Sequence, residues 1–300
     1  MQIEVTTKNM TFLECFSSET RIQIIELLDA GPMNIKQLAE RLLLSSAIVT
    51  KHIQKLENAG IVSCKSIAGR RGTQKICSLQ LNQAVLQFKT RKQDVLANTI
   101  SIPVGQYSAF DVKPACGMAS RTQIIGLIDD PRYFADPQHV QANHLWFSSG
   151  FVEYRIPNFL NSNQKLRSLE ISLEICSEAS GCNETWPSDI HFYINDVPIG
   201  MWTCQGDFGK QKGAYTPDWH NCGTQYGVLK IITVNERGSY LDGIRIADVT
   251  SSDLGMAYGK DVSFRIASLE DAQNCGGINL FGKHFGSYNQ DIEITMHYNN

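Results

Sequence analysis

The chain has 300 residues, 42% hydrophobic and 19% charged, with a formal net charge of −3. That length suggests about two domains, and the composition is that of a globular protein able to build a core without disulfide or metal staples. No run of ~18 apolar residues occurs, which excludes a membrane-spanning helix, and the opening MQIEVTTKNMTF lacks the basic-then-apolar pattern of a secretory signal.

The net charge conceals an asymmetry. Residues 1–100 carry 13 Lys/Arg against 8 Asp/Glu, whereas residues 101–300 carry 14 against 22. A basic head on an acidic body can still engage nucleic acid through the head. The nine cysteines, at 15, 64, 77, 116, 176, 182, 204, 222 and 275, form no CxxC. Reduced thiols in a bacterial-type cytoplasm are the expectation.

In chain order, a first helix carrying Phe12, Phe16, Ile22, Ile25 and Leu28 ends at Gly31-Pro32. Asn34 is placed to cap a second helix, whose Ile35, Leu38, Ala39 and Leu42 form one apolar stripe. After Leu43-Leu44, Ser45 is placed to cap a third. There Val49, His52, Ile53 and Leu56 turn inward, leaving Ser46, Ala47, Thr50, Lys51 and Gln54 on the opposite face. Small and polar groups at a helix start, with a cation behind them, suit a major-groove reader. After Gly60, two β-like runs, Ile61–Ile67 and Gln74–Leu81, flank Gly69-Arg70-Arg71-Gly72, a turn bearing two guanidiniums suited to phosphate.

These stretches, ECFSSETRIQIIELLDAG, IKQLAERL and LSSAIVTKHIQKLENAGIV followed by a glycine-flanked basic hairpin, resemble the ArsR-type winged helix-turn-helix repressors over residues 12–81. The resemblance implies a homodimer on an operator in double-stranded DNA, packed through the first helix and a last helix at about Asn82–Asn98. Val85, Leu86, Phe88 and Val95 would be the apolar contacts of that last helix. DNA contacts are expected from Ser45, Ser46, Ala47, Thr50, Lys51, Gln54, Arg70 and Arg71. The family's two familiar metal sites have no counterpart: Met33–Leu44 holds no Cys or His, and Asn82–Asn98 holds no His and only Asp94. No metal is expected at either place.

From about residue 105 the texture changes. Leu169-Ile171-Leu173-Ile175, Ile190-Phe192-Ile194, Val262-Phe264-Ile266 and Ile292-Ile294-Met296 alternate with polar residues between Gly/Asn/Asp/Ser turns. Period-2 patterning over short runs indicates a two-layer antiparallel structure. The fold class is therefore α+β in two domains: a winged helix-turn-helix over 1–100 and an all-β antiparallel sandwich, jelly-roll-like, over 101–300. The join falls at Ser101–Gln106. The second part loosely resembles the jelly rolls of carbohydrate-binding modules. The whole chain resembles ArsR-type regulators with long β C-terminal domains, which share stretches similar to Pro114–Ser120, Trp146–Pro157 and Gly206–Trp219.

An appended module of this size reads as a small-molecule sensor. Residues 182–222 hold three of the four tryptophans. Asn195-Asp196 closes a hairpin whose one side carries Ile190, Phe192 and Ile194 and whose other carries His191, Tyr193 and Asn195, and a long loop runs over Cys204–Gly227. Aromatic planes with carboxylates and amides suit a sugar, so Trp186, His191, Tyr193, Asn195, Trp202, Asp207, Tyr215, Asp218 and Trp219 are the candidate ligand residues. The same rings could equally fill the core. No cofactor is expected: Asp207-Phe208-Gly209 lacks the rest of a kinase, and Gly276-Gly277 lacks the Lys-Ser/Thr of a phosphate loop.

The reading is thus a ligand-responsive repressor and not an enzyme. Three alternatives stay open. One is a metal or thiol sensor, using His220, Cys222, Cys182 and Cys204, or the Cys64/Cys77 pair that a Gly69–Gly72 turn sets face to face. Another is a glycoside-active sandwich with Glu184, Asp207 and Asp218. The last is a sandwich that only mediates protein contacts.

Overall fold

The computed structural model describes residues 2–69, 72–81, 84–88 and 96–299. The chain divides into two compact units, Met1–Gln93 and Asp94–Asn300.

In the first unit, β1 (Gln2–Glu4) precedes α1 (Met10–Leu13) and α2 (Glu19–Asp29). The expected single first helix is broken, because Ser18 is extended and a short 3-10 turn, Glu14–Ser17, intervenes. Buried Arg21 explains why the break holds. Its guanidinium donates to the carbonyls of Cys15 (2.9 Å) and Glu14 (2.5 Å), the helix-end acceptors the break exposes. Then follow β2 (Met33–Asn34), α3 (Ile35–Leu42) and α4 (Ser46–Asn58). Asn34 accepts from the Gln37 amide, and the Gln37 side chain accepts from the Asn34 amide, a reciprocal capping box. Leu43, left-handed at φ 55°, turns the chain toward α4, where the Ser45 hydroxyl accepts from the Ile48 amide. The hairpin β3 (Val62–Gly69) and β4 (Gly72–Leu79) pairs with Gly69 opposite Gly72.

The expected last helix, Asn82–Asn98, lies largely outside the described residues, Val95 included, and the described ones form no helix. Among the described residues of that stretch, β5 (Val85–Gln87) pairs in parallel with β1, and β6 (Leu96–Ile102) pairs with the C-terminal strand. Val85 and Leu86 take part in the β5–β1 pairing instead, and Ile100 and Ile102 alternate and face Ile294 and Ile292. This pairing also moves the unit boundary ahead of the expected join.

The second unit is an all-β antiparallel sandwich. Its further strands are β7 (Ala109–Ala119), β8 (Ile124–Ile125), β9 (His144–Ile156), β10 (Lys165–Cys176), β11 (Ser188–Ile194), β12 (Val197–Cys204) and β13 (Val228–Asn235). They continue with β14 (Gly238–Leu241), β15 (Ile244–Ala247), β16 (Val262–Ser268), β17 (Ile278–Phe281) and β18 (Ile292–Asn299). One layer runs β12-β11-β16-β9-β7 and the other β6-β18-β10-β13-β14-β15, with β17 paired to both β9 and β10. The alternating runs bury their apolar members, Leu169 to Ile175, Ile190 to Ile194, Val262 to Ile266 and Ile292 to Met296, in one cluster. The β11–β12 turn is Asn195-Asp196, both left-handed (φ 50° and 62°), the geometry that matches strand twist in a two-residue hairpin. No helix among the described residues is long and apolar enough to cross a membrane.

Burial separates two aromatic positions. Phe192 is fully buried, whereas Trp186 is 43% exposed. Phe192→Ala should cost about 3–5 kcal/mol in chemical denaturation of the full chain, and Trp186→Ala about 0.5 kcal/mol or less.

Candidate functional site

Two regions are candidates for function. The first is the outer face of α4. Val49, Ile53 and Leu56 are fully buried, so the helix presents Ser46, Ala47, Lys51 and Gln54 to solvent, beside exposed Ser45. Thr50 is half-buried, and its hydroxyl donates to the Ser46 carbonyl (2.7 Å), leaving the oxygen as an acceptor. His52 is half-buried, its pKa lowered by burial and then by Arg21 and Lys55, so it is a neutral packing residue. Arg70 and Arg71 lie outside the described residues.

The second region is a cavity of about 410 Å³ in the sandwich, walled by β9, β17, the segment after β10 and the long loop 205–227. Antiparallel register sets Trp146 opposite Asn279 and His144 opposite Phe281. The His144 ring stacks on Phe281 at 4.5 Å between centroids. On the other side Trp146 lies flat over Gly117, where a Cβ would come within 2.3 Å of the indole. From the loop, Trp219 stands over the cavity, 37% exposed, its indole N–H donating to the Arg121 carbonyl (2.8 Å). His220 packs edge-on to His144 at 5.5 Å.

The polar floor has a determined hydrogen-bond sense. The Asn279 Nδ2 group donates to the Ser177 carbonyl (2.8 Å) and to Glu178 Oε2 (2.6 Å). Its Oδ1 therefore faces His144 Nε2 at 2.8 Å and accepts, which puts the imidazole proton on Nε2. His144 Nδ1 is left as a bare lone pair, fully buried and without a partner. Burial, reinforced by neighbouring His220, holds the His144 pKa down at about 3, so the ring is neutral. Burial pushes the Glu178 carboxyl up to about 8, against the Asn279 hydrogen bond that favours its charge. At neutral pH the floor thus offers a neutral acceptor and a protonated carboxylic acid.

The expected ligand residues disperse. Trp219 lines the cavity. Asp207 is fully buried and accepts from the Ala179 amide (3.0 Å), so it shapes the wall and does not reach the cavity, and burial raises its pKa to about 6. Asp218 is on the surface, ion-paired with Lys212. Tyr215 is exposed. Trp202 packs on the core beneath the Lys230 ammonium, 4.4 Å from its ring. His191 and Tyr193 stack on the outer sheet face, where Tyr193 borders a separate cleft with Arg265. Asn195 is spent on its own turn, bonding the Leu254 carbonyl (2.8 Å) and the Ser263 amide (2.9 Å). Sequence reasoning missed His144, Trp146, Glu178 and Asn279. The only local signal was a polar side chain at strand positions that should be apolar, as in His144-Leu145-Trp146.

The glycoside-active and metal alternatives gain little from this geometry. Glu184 pairs with Lys210, Asp218 with Lys212, and neither lines the cavity. Among the described residues no group of three or more His, Cys, Asp and Glu is placed to hold a metal ion.

Residues 18–63 match the family described as "Bacterial regulatory protein, arsR family". No curated protein sequence matches the chain. Among solved structures, HlyU from Vibrio cholerae N16961 is 24% identical over 25% of this chain and 77% of its own, with a TM-score of 0.23. A carbohydrate-binding module CBM36, solved with calcium and xylotriose, is 10% identical over 67% of this chain and 98% of its own, with a TM-score of 0.28. The CBM36-1 domain of a multidomain xylanase from the hindgut metagenome of Trinervitermes trinervoides is 8% identical over 67% and 96%, with a TM-score of 0.29.

The raised Glu178 pKa has a pH consequence. A carboxyl whose folded pKa exceeds its unfolded value stabilises fully below the unfolded value, about 4.5, and loses that stabilisation as pH rises through about 8. The melting temperature of the full chain should fall from about pH 5 to about pH 8 and level off above, and Glu178→Gln, which keeps an acceptor for Asn279, should lessen the fall, with raised Glu174 (about 7) and Asp207 (about 6) accounting for the remainder.

Proposed function

We propose that this chain, with its ArsR-type helix-turn-helix over residues 18–63, is a homodimeric, ligand-responsive repressor acting in the cytoplasm. In this reading the cavity under Trp219 binds a neutral carbohydrate. The observation that carries the proposal is the unpartnered His144 Nδ1, buried between aromatic walls. An unsatisfied buried acceptor costs about 1–3 kcal/mol, and in this reading a small shift of the surrounding rings opens Nδ1 to a ligand hydroxyl that recovers that cost. A second hydroxyl can accept from protonated Glu178, while the C–H face of the ring stacks on Trp219. Among the described residues lining the cavity there is no lysine or arginine, so an anionic ligand would find no counter-charge there.

On the reader side, Ser46, Ala47, Thr50 and Gln54 meet base edges, and Lys51 with Arg70 and Arg71 holds phosphate. Dimerisation is favoured by an apolar groove within the first unit, lined by Phe12, Phe16, Ile25, Leu81 and Leu86. Release from DNA requires that the sugar bind the DNA-free state more tightly than the DNA-bound one. Among the described residues two carboxyls line the cavity, Glu178 and Asp129, and Asp129 Oδ1 is already engaged by the Cys116 amide (3.0 Å), which favours a binding role over a hydrolytic pair.

Two measurements test the parts separately. Lys51→Ala should weaken binding to operator and random DNA alike and reduce the log–log salt slope by about 0.9, the value for one phosphate contact. Ser46→Ala should instead relax discrimination, and equal losses on both DNAs would assign it to the backbone. For the sensor, a panel of neutral mono- and disaccharides is scanned by thermal shift and by operator release. At least one should raise the melting temperature of the full chain. Trp219→Ala should keep the unliganded melting temperature yet lose the response. His144→Phe, which keeps the stacking and removes the acceptor, should lower affinity about tenfold, the equivalent of one hydrogen bond. A panel without a shift would overturn the carbohydrate reading.

A further inference from the structure

Cys64 on β3 and Cys77 on β4 are direct register partners, and their sulfurs lie 3.2 Å apart as free thiols. Facing residues of an antiparallel ladder have Cα atoms about 4.5–5.5 Å apart, inside the ~4.4–6.8 Å that a disulfide spans. The backbone is therefore already at bonding distance, and only the side chains need to rotate. The two thiols differ in access: Cys77 is fully buried and Cys64 is half-exposed. The other cysteines are engaged differently. Cys15, Cys116, Cys176 and Cys204 are buried, the last two donating to the Ser177 and Gly206 carbonyls, while Cys182, Cys222 and Cys275 are exposed.

We propose that Cys64 and Cys77 are an oxidative modification site, taking a two-electron oxidant of the peroxide class and closing a disulfide across the β3–β4 hairpin. Cys64, the accessible thiol, loses its proton and attacks one peroxide oxygen. An S–O bond forms, the O–O bond breaks, and the departing hydroxide takes that proton as water. Cys77 then attacks the Cys64 sulfur: the S–S bond forms, the S–O bond breaks, and hydroxide leaves with the Cys77 proton as a second water. Two thiols and one peroxide become one disulfide and two waters. The bond would staple the hairpin at Cys77, which also pairs with Met33 just before α3.

The charged groups facing the thiols are Glu57 of α4 and Lys75 of β4, themselves paired at 2.8 Å. Burial raises both thiols, Cys77 to about 12, so the thiolate is scarce at neutral pH and the reaction accelerates as pH rises. The site is therefore slow, resists mild oxidation and responds to sustained peroxide.

The test uses the full chain with Cys182, Cys222 and Cys275 changed to Ser, so that exposed thiols do not compete. After hydrogen peroxide and an acid quench, the intact mass should fall by two hydrogens. Peptide mapping should recover a Cys64–Cys77 linkage that dithiothreitol reverses, and the rate should rise from pH 7 to pH 9. Cys64→Ala should abolish the linkage, and Cys77→Ala should leave a Cys64 sulfenic acid that dimedone traps. The parent protein decides even if a variant misfolds. Linkage to any other cysteine, or both thiols still free to alkylation after the peroxide treatment, overturns the proposal.

Discussion

Strand β17 is four residues long, fully buried, and hydrogen-bonded along both edges, to β9 and to β10. It joins the two layers of the sandwich, so it cannot tolerate a polar side chain without partners. Asn279 is the polar residue it carries, and its amide is satisfied on every side by Ser177, Glu178 and His144. Those bonds in turn choose the His144 tautomer and leave its Nδ1 without a partner. The chemistry of the cavity is a by-product of satisfying a buried amide in a joining strand.

The same network accounts for the unusual charge state of the site. A histidine and a glutamate side by side would ordinarily form an ion pair. Here Asn279 stands between them as a neutral relay, and burial opposes charge on both, pushing His144 to about 3 and Glu178 to about 8. Desolvation outweighs the hydrogen bonds that favour the charged forms. In the proposed carbohydrate reading, neutral His144 and protonated Glu178 below Trp146 and Trp219 select by shape, stacking and hydroxyl geometry rather than by ion pairing.

The reader is governed by a different constraint. Its helices are short, so their ends must be satisfied individually: the Asn34–Gln37 box and the Ser45 cap start α3 and α4, and Arg21 closes the segment before α2. With Val49, Ile53 and Leu56 buried, the outer face of α4 is committed to solvent and to whatever it reads. The charge asymmetry reinforces this. An excess of five positive charges over residues 1–100 and of eight negative ones over 101–300 favours approach to DNA through the head and disfavours it through the body.

Periodicity and capping chemistry are local, and the sequence alone determined what depends on them: α3 and α4 with their caps, the glycine-bounded hairpin, the Asn195-Asp196 turn, and the buried members of the alternating strands. It expected a helix over 82–98, where the described residues 85–87 and 96–98 lie in strands whose partners, at 2–4 and 296–298, are far along the chain. It also grouped Trp186, Tyr193, Asp207 and Trp219 because they are neighbours in sequence. A sandwich sends successive side chains to opposite faces and loops to different rims, so proximity along the chain is lost within a few residues. His144, Glu178 and Asn279 come from three separated segments, and only the double pairing of β17 brings them together. Register, not composition, decided the site, because hydrogen-bonded pairing positions each side chain against partners that no local pattern names.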